Sequence, residues 1–492
     1  LIGAFGNRSS RTTSDFYVAS RTVSPRLNAS AIGGEYLSAA SFLGVAGLVL
    51  AFGVDMLWYP VGYTVGYLFL LVLVAAPLRR SGAFTLPDFA QGRLGSARVR
   101  AAATTLVVVL GWLYLIPQMQ GAGITLRAVV GAPTWVGVLT VGLVVLLAVA
   151  GGGMRSITLV QAFQYWLKLF AIAVPVFFLI VAWRADGSPQ VAGEEPPEFG
   201  ERTTVTMRDD AVLTIEDPVT VRVDGTVDDE QQSGLVRLSS GAYAVSAGTE
   251  LVFPAGSAVP GTDTIPALTG PEWAVPLSNG QSLPLYRVYS LMIALFFGTM
   301  GLPHVLVRFY TNPDGRAARR TALTVLGLVG IFYLAPPIYG ALGRLYTPEL
   351  LVTGRTDAVV LALPSALVGG VGGQLLGAIV AAGAFAAFLS TSSGLTVSVA
   401  GVLSQDVIKR RGGSPLRAFR LATLVAVIVP VLLALAGESL GVANMVGLAF
   451  AVAASSFCPL LLLGIWWPRL TATGALAGLA AGGGLATLAV LV

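Results

Sequence analysis

The sequence predicts an all-α polytopic membrane protein that carries one small β-rich insert. Three observations predict it. Of 492 residues, 55% are hydrophobic and only 11% charged, with mean hydropathy +0.78, whereas a soluble domain carries about 25% charged residues. Eleven apolar runs are long enough to cross a hydrocarbon core of about 30 Å. The basic residues concentrate in alternate connections between those runs, as the positive-inside rule requires.

The runs lie at roughly 29–53, 57–77, 101–127, 134–150, 158–183, 286–310, 320–345, 366–403, 416–436, 440–463 and 470–492, here spans 1 to 11. Arg8, Arg11, Arg21 and Arg26 precede span 1. Arg79, Arg80, Arg93, Arg98 and Arg100 follow span 2, and Arg155 follows span 4. Arg316, Arg319 and Arg320 follow span 6; Lys409, Arg410, Arg411 and Arg417 follow span 8; Arg469 follows span 10. These connections are placed in the cytoplasm and the intervening ones outside. The pI near 9.4 then reports topology, and no nucleic-acid partner is expected. Residues 1–28 read as a cytoplasmic segment, 29–183 as five spans, 184–285 as an outside insert, 286–463 as five more spans and 464–492 as an additional one. The chain starts at Leu1 and stops inside an apolar run at Val492, which reads as trimming at both ends.

The insert holds 16 of the 25 acidic residues and four arginines within 186–285. Residues 203–207 and 219–223 alternate with the two-residue period of strands, and Asp224-Gly225 supplies a turn signal. A small β-rich cap is expected there.

Span 1 contains Gly33 and Gly34, which weaken a helix, next to Glu35. Of the nine acids outside the insert, Glu35 is the one well inside an apolar span. A charge at that depth faces a cavity, a partner or the nearby water. In span 6, Gly298, Gly301 and Pro303 fall within six residues, and proline removes a donor and disfavours helix at the residue before it. Both spans are therefore expected to be broken. His304 follows at once, with a hydrogen-bonding role favoured over proton carriage. In span 3, Gln118 and Gln120 sit at mid-depth, and Gln161 and Gln164 are polar positions in span 5. Span 8 holds Ser390, Thr391, Ser392 and Ser393 in a row. Four consecutive hydroxyls cover every helix face, so some turn inward, and hydroxyls with nearby carbonyls are hard ligands suited to a small hard cation.

Several stretches resemble the sodium:solute symporter family: AAFLSTSSGL in span 8, GLPHVLVRF in span 6, and TLPDFAQGRLGS, GGGMRSITLVQAFQYWLK, LYLIPQMQGAG and FAVAASSFCPLLLLGIWW elsewhere. An acid and an aromatic followed by SAASFLG in span 1 resemble its acetate/monocarboxylate permease branch. The resemblance covers nearly everything except 186–285. It implies a leucine-transporter-like five-plus-five inverted repeat with extra helices. It implies a sodium site formed by the carbonyls of Gly34, Leu37 and Ala387 with the hydroxyls of Ser390 and Thr391. Glu35, Tyr36, Ser38, Gln118, Gln120, Thr299, Met300, Gly301 and Pro303 become the expected substrate-facing residues.

The implied activity is sodium-coupled symport of a small monocarboxylate such as acetate, propionate or pyruvate across the cell membrane. The expected partners are the organic anion, Na+ and the lipid bilayer. Proton coupling, an amino-acid substrate and a transporter-like sensor remain alternatives. No HExxH or P-loop motif is present, with one histidine and one cysteine in the chain, so neither an enzyme nor a protein-bound cofactor is expected.

Overall fold

The computed structural model describes residues 22–278, 283–408, 414–437 and 442–491. Arg8, Arg11 and Arg21, and Lys409, Arg410 and Arg411, lie outside the described residues. The chain begins with α1 (Pro25–Tyr36), α2 (Val45–Phe52), α3 (Trp58–Phe69) and α4 (Ala75–Arg80). A 3-10 turn, Gly53–Leu57, joins α2 to α3. Gly53 opens it at φ 74, where a side chain would also overlap the carbonyl of Trp273. α5 (Leu86–Leu94) is opened by a Thr85–Asp88 capping box and closed by Gly95 in the left-handed conformation, the usual device for ending a helix.

α6 (Ala97–Val130) and α7 (Thr134–Ala185) follow. Spans 4 and 5 were expected to be separated by a loop near 151–157. Helical hydrogen bonding instead runs without interruption through the glycines there, although each side is long enough to be a span by itself, Thr134–Gly152 and Ser156–Ala185. The second half contains α8 (Gly270–Ala274), α9 (Pro284–Gly301), α10 (Pro303–Phe309), α11 (Gly315–Phe332), α12 (Pro336–Tyr346), α13 (Glu349–Val352) and α14 (Val359–Leu363). It ends with α15 (Gly370–Val402), α16 (Pro415–Ala436), α17 (Val442–Trp466), α18 (Ala472–Gly478) and α19 (Leu485–Leu491). Among the described residues nine helical stretches are long and apolar enough to cross a membrane, ten with the bent pair α9–α10. The stretch 40–80 counts once because the Gly53 turn keeps it helical.

The insert is a seven-stranded antiparallel sheet: β1 (Thr203–Thr206), β2 (Ala211–Ile215), β3 (Val219–Val227), β4 (Glu230–Leu238), β5 (Gly241–Val245), β6 (Glu250–Phe253) and β7 (Gly261–Thr262). The strand order is β1-β6-β3-β5-β2-β7, with β4 also on β3. Asp224-Gly225 is not the turn. Both residues lie inside β3, opposite Ser233 and Gln232, and Gly225 leaves room for Thr249, which a side chain would meet. The hairpin turns at Asp228 and Asp229, both at positive φ (51° and 63°), as a two-residue turn between twisted strands demands. Phe199 and Phe253 stack at 4.9 Å in the sheet's interior.

Packing sets the membrane core. α15 lies along α7 and α6, α1 along α7, and α9 along α17 and α3. α1, α7 and α15 therefore meet around one point, and residues of α1, α3, α6 and α9 meet around a second.

Candidate functional site

The first break falls at Leu37 and Ser38, after α1 ends at Tyr36. The glycines expected to cause it, Gly33 and Gly34, are still helical. They serve close packing instead: a Cβ on Gly34 would overlap the Gln161 carbonyl on α7, and one on Gly33 would press on the Tyr165 ring at 2.9 Å. An unbroken helix would bond the carbonyls of Gly34 and Leu37 to amides four residues on. The break frees both carbonyls, and it frees the amide of Ala39, which donates to Gln118 Oε1 at 3.0 Å. The second break falls at Leu302 (φ −73, ψ 112), and α9 and α10 differ in direction by 45°.

Three of the five oxygens expected to hold a cation, the carbonyls of Gly34 and Leu37 and the Ser390 hydroxyl, meet at one lysine side chain. Lys168 of α7 is fully buried. Its Nζ donates to the carbonyl of Gly34, to the carbonyl of Leu37 at 2.7 Å and to Ser390 Oγ at 2.9 Å. Ser390 Oγ donates onward to the Ala387 carbonyl at 3.1 Å. Thr391 Oγ1 donates to the Glu35 carbonyl at 2.6 Å, tying α15 to the last turn of α1.

Glu35 is 1% exposed and does not reach water. Its Oε2 accepts from Arg308 Nε at 2.7 Å, while Oε1 has no partner among the described residues. Arg308, on α10, is also fully buried. It donates to Thr158 Oγ1 at 2.7 Å and to Gln161 Oε1. Gln161 Nε2 in turn donates to the Ser390 carbonyl at 2.7 Å. Asn28 Nδ2 donates to the Arg308 carbonyl at 3.0 Å. A buried ion pair persists only with such added hydrogen bonds, and this one joins α1, α7, α10 and α15.

The remaining expected residues divide. Tyr36 Oη lies 2.9 Å from Thr299 Oγ1, a direct link between the two breaks. Tyr114 Oη donates to Ser38 Oγ at 3.4 Å. Tyr63 and Tyr67 pack on the Tyr36 ring edge-to-face at 6.0 and 4.7 Å, and neither hydroxyl donates to a partner among the described residues. Gln118 Nε2 is equally unpartnered. This second cluster is polar, aromatic and buried, the composition of a small-solute site. Met300 is buried, and Gly301 allows α9 to approach the backbone of α17. Pro303 borders a small apolar pocket with Val307 and Val397. Gln120 turns away and donates to the Gly437 carbonyl at 3.3 Å. His304 meets Tyr114 edge-to-face at 5.3 Å, and neither ring nitrogen finds the expected hydrogen bond among the described residues.

Lys168 and Arg308 carried a legible signal. Each is a charge inside an apolar span, as Glu35 is.

At the end bearing the sheet, a cavity of about 620 Å³ is lined by Arg127 at the end of α6, Arg208 from the insert and Arg355 after α13, with Asp209 and Asp357. Burial pushes the Arg355 guanidinium below its ordinary value, and Arg208 and Arg127 act in the same direction. Burial and Arg127 do the same to Arg208, against Asp209. The insert thus contributes a cation to this cavity.

The chain matches the model of the sodium:solute symporter family over residues 16–221 and 266–482; the gap falls in the sheet. It is similar to the uncharacterized symporter YwcA of Bacillus subtilis (strain 168), 30% identical over 485 residues, covering 97% of this chain and 80% of that protein. Among solved structures it resembles a Na+-coupled sialic acid symporter in a substrate-bound outward-open state, with TM-score 0.65 and 13% identity over 100% of this chain and 92% of that one. It also resembles MhsT in complex with L-phenylalanine, with TM-score 0.55 and 13% identity over 94% and 96%. A third is Mhp1, a nucleobase-cation-symport-1 family transporter, with TM-score 0.51 and 13% identity over 98% and 95%. The fold is the leucine-transporter-like one, with the sheet added to it.

Proposed function

The chain belongs to the sodium:solute symporter family, and from that premise we propose that it is a secondary active symporter that carries a small monocarboxylate, of the acetate, propionate or pyruvate type, into the cell. One observation carries the symport reading. The first helix of each half is broken, and the breaks are joined by Tyr36 and Thr299 at 2.9 Å inside a buried cluster with unpaired polar atoms. Broken helices that meet at mid-membrane are where such folds bind their solute. Tyr36, Ser38, Gln118 and Thr299 are the proposed solute-facing residues.

Two features support an anionic solute. The sequence of span 1 resembles the monocarboxylate branch, and three arginines line the cavity at the sheet-bearing end. Three arginines against two acids leave that cavity with an excess of positive charge, and a cleft with an excess of one sign concentrates the opposite sign. With the basic connections on the cytoplasmic side, the sheet and this mouth stand outside the cell membrane.

Family membership supports sodium as the driving ion. A proton is the second reading, favoured by one observation: an ammonium already sits among the oxygens expected to hold sodium. The deciding experiment is uptake of labelled pyruvate and acetate into vesicles holding the full chain, under a sodium gradient or a proton gradient alone. Accumulation only with sodium establishes the first reading, and accumulation with protons alone the second. No uptake of any monocarboxylate under either gradient sinks the substrate class.

A further inference from the structure

We propose that the cradle formed by Gly34, Leu37 and Ser390 is a cation site whose resident cation is the side chain of Lys168, and that it does not take up inorganic sodium. The coordination is already complete. An ammonium has three donors, and Nζ has three acceptors: the carbonyls of Gly34 and Leu37 and the hydroxyl of Ser390. The fourth expected oxygen, the Ala387 carbonyl, is taken by the proton of Ser390. The fifth, the Thr391 hydroxyl, is turned to Glu35. Sodium would have to share these oxygens with Nζ, which already holds three of the five.

Charge points the same way. None of the five oxygens is a carboxylate, and α15 has no charged residue anywhere along its length. The acid of this cluster, Glu35, is already paired with Arg308. Tyr165, one turn earlier on α7, is occupied with the Leu328 carbonyl. The cluster therefore holds one negative and two positive charges, and a sodium ion beside Nζ would add a third positive charge at close range, where like charges repel strongly.

The choice of side chain fits as well. The chain contains 28 arginines and two lysines. A guanidinium is a flat fork, while an ammonium is a compact point charge with rotatable donors. The ammonium is the one that reproduces the size and tripod demand of a small cation. A cation on a covalent tether also cannot diffuse away between cycles. Lys168 straps α7 to the freed end of α1 and to α15, so the driving ion acts elsewhere.

The test compares the full chain in detergent, as wild type, Ser390→Ala, Lys168→Ala and the double variant. Sodium is exchanged for choline at about 0.15 M ionic strength, with potassium as the specificity control. Radioactive sodium binding and the melting temperature are read together. Ser390→Ala should change the sodium affinity of the Lys168-containing protein less than about twofold, a difference under about 0.5 kcal/mol. Lys168→Ala should gain a saturable, sodium-specific rise in melting temperature that the double variant lacks. A sodium affinity that Ser390→Ala weakens tenfold or more in the presence of Lys168 overturns the proposal. So does a folded Lys168→Ala protein with no gained response, since the vacated oxygens are then no cation site. Should Lys168→Ala fail to fold, the wild-type and Ser390→Ala pair decides the question alone. The inference rests on the symporter reading only for its consequence, because sodium binding is read without any solute. Failure of monocarboxylate uptake would leave it standing.

Discussion

The two broken helices solve one problem differently. Where little water is available, every freed backbone group must be satisfied from within the protein. At the first break this is done by side chains from other helices. Lys168 takes two freed carbonyls, Gln118 takes the amide of Ala39, and Thr391 takes the carbonyl of Glu35. At the second break the chain itself limits the demand. Pro303 has no N–H to satisfy, and Gly298 and Gly301 let the backbone press against α17. The first break is thus held by a polar network drawn from three helices. The joint of the second is held by packing, with Thr299 tying it to Tyr36 and Arg308, further along α10, tying it to Glu35. A network of charges is costly to open and suits a fixed strut, whereas a packed joint with one hydroxyl suits a solute that must come and go.

Four single substitutions and one rescue test that contrast and its surroundings, beginning with the largest effect. Arg308→Met should cost about 3–5 kcal/mol, because it leaves the Glu35 carboxylate buried and unpaired. Adding Glu35→Gln should recover much of the loss. Unfolding of purified protein reads both, and equal instability of single and double variants would remove the ion pair from the account. Gln118→Leu should cost about 1–3 kcal/mol by orphaning the Ala39 amide, measured the same way; a variant as stable as wild type would mean the first break needs no side-chain acceptor.

At the second break, Thr299→Val keeps the volume beside Gly66 and removes the tie to Tyr36. Its cost in stability should be only about 0.5–1.5 kcal/mol, but the apparent KM for solute should rise severalfold. An unchanged KM would move the solute away from this joint. The smallest effect lies outside both breaks. Arg355→Gln should leave stability within about 0.5 kcal/mol and slow uptake at low salt, with the difference fading as salt screens the mouth. A defect independent of salt would argue against an electrostatic role.

Much of this was legible in the sequence. Local chemistry fixed the break at Pro303, the strands at 203–206 and 219–227, the four adjacent hydroxyls of α15 and the apolar lengths of the spans. Each of these depends on residues a few positions apart. The site was legible only in part. Ser390, Gly34 and Leu37 are legible there, but their shared partner Lys168 lies 131 residues from Leu37. Glu35 stood out as a charge in an apolar span, yet nothing local identified Arg308, 273 residues away, as its partner.

Tertiary structure alone decided the rest. It placed the first break after the glycines, because α7 packs on them. It put the hairpin turn at Asp228–Asp229, because Gly225 was needed beside Thr249. It filled the expected ion cradle with an ammonium. The physical reason is common to all three. Periodicity says which face of an element is buried, but the neighbour that buries it is set by how the whole chain packs.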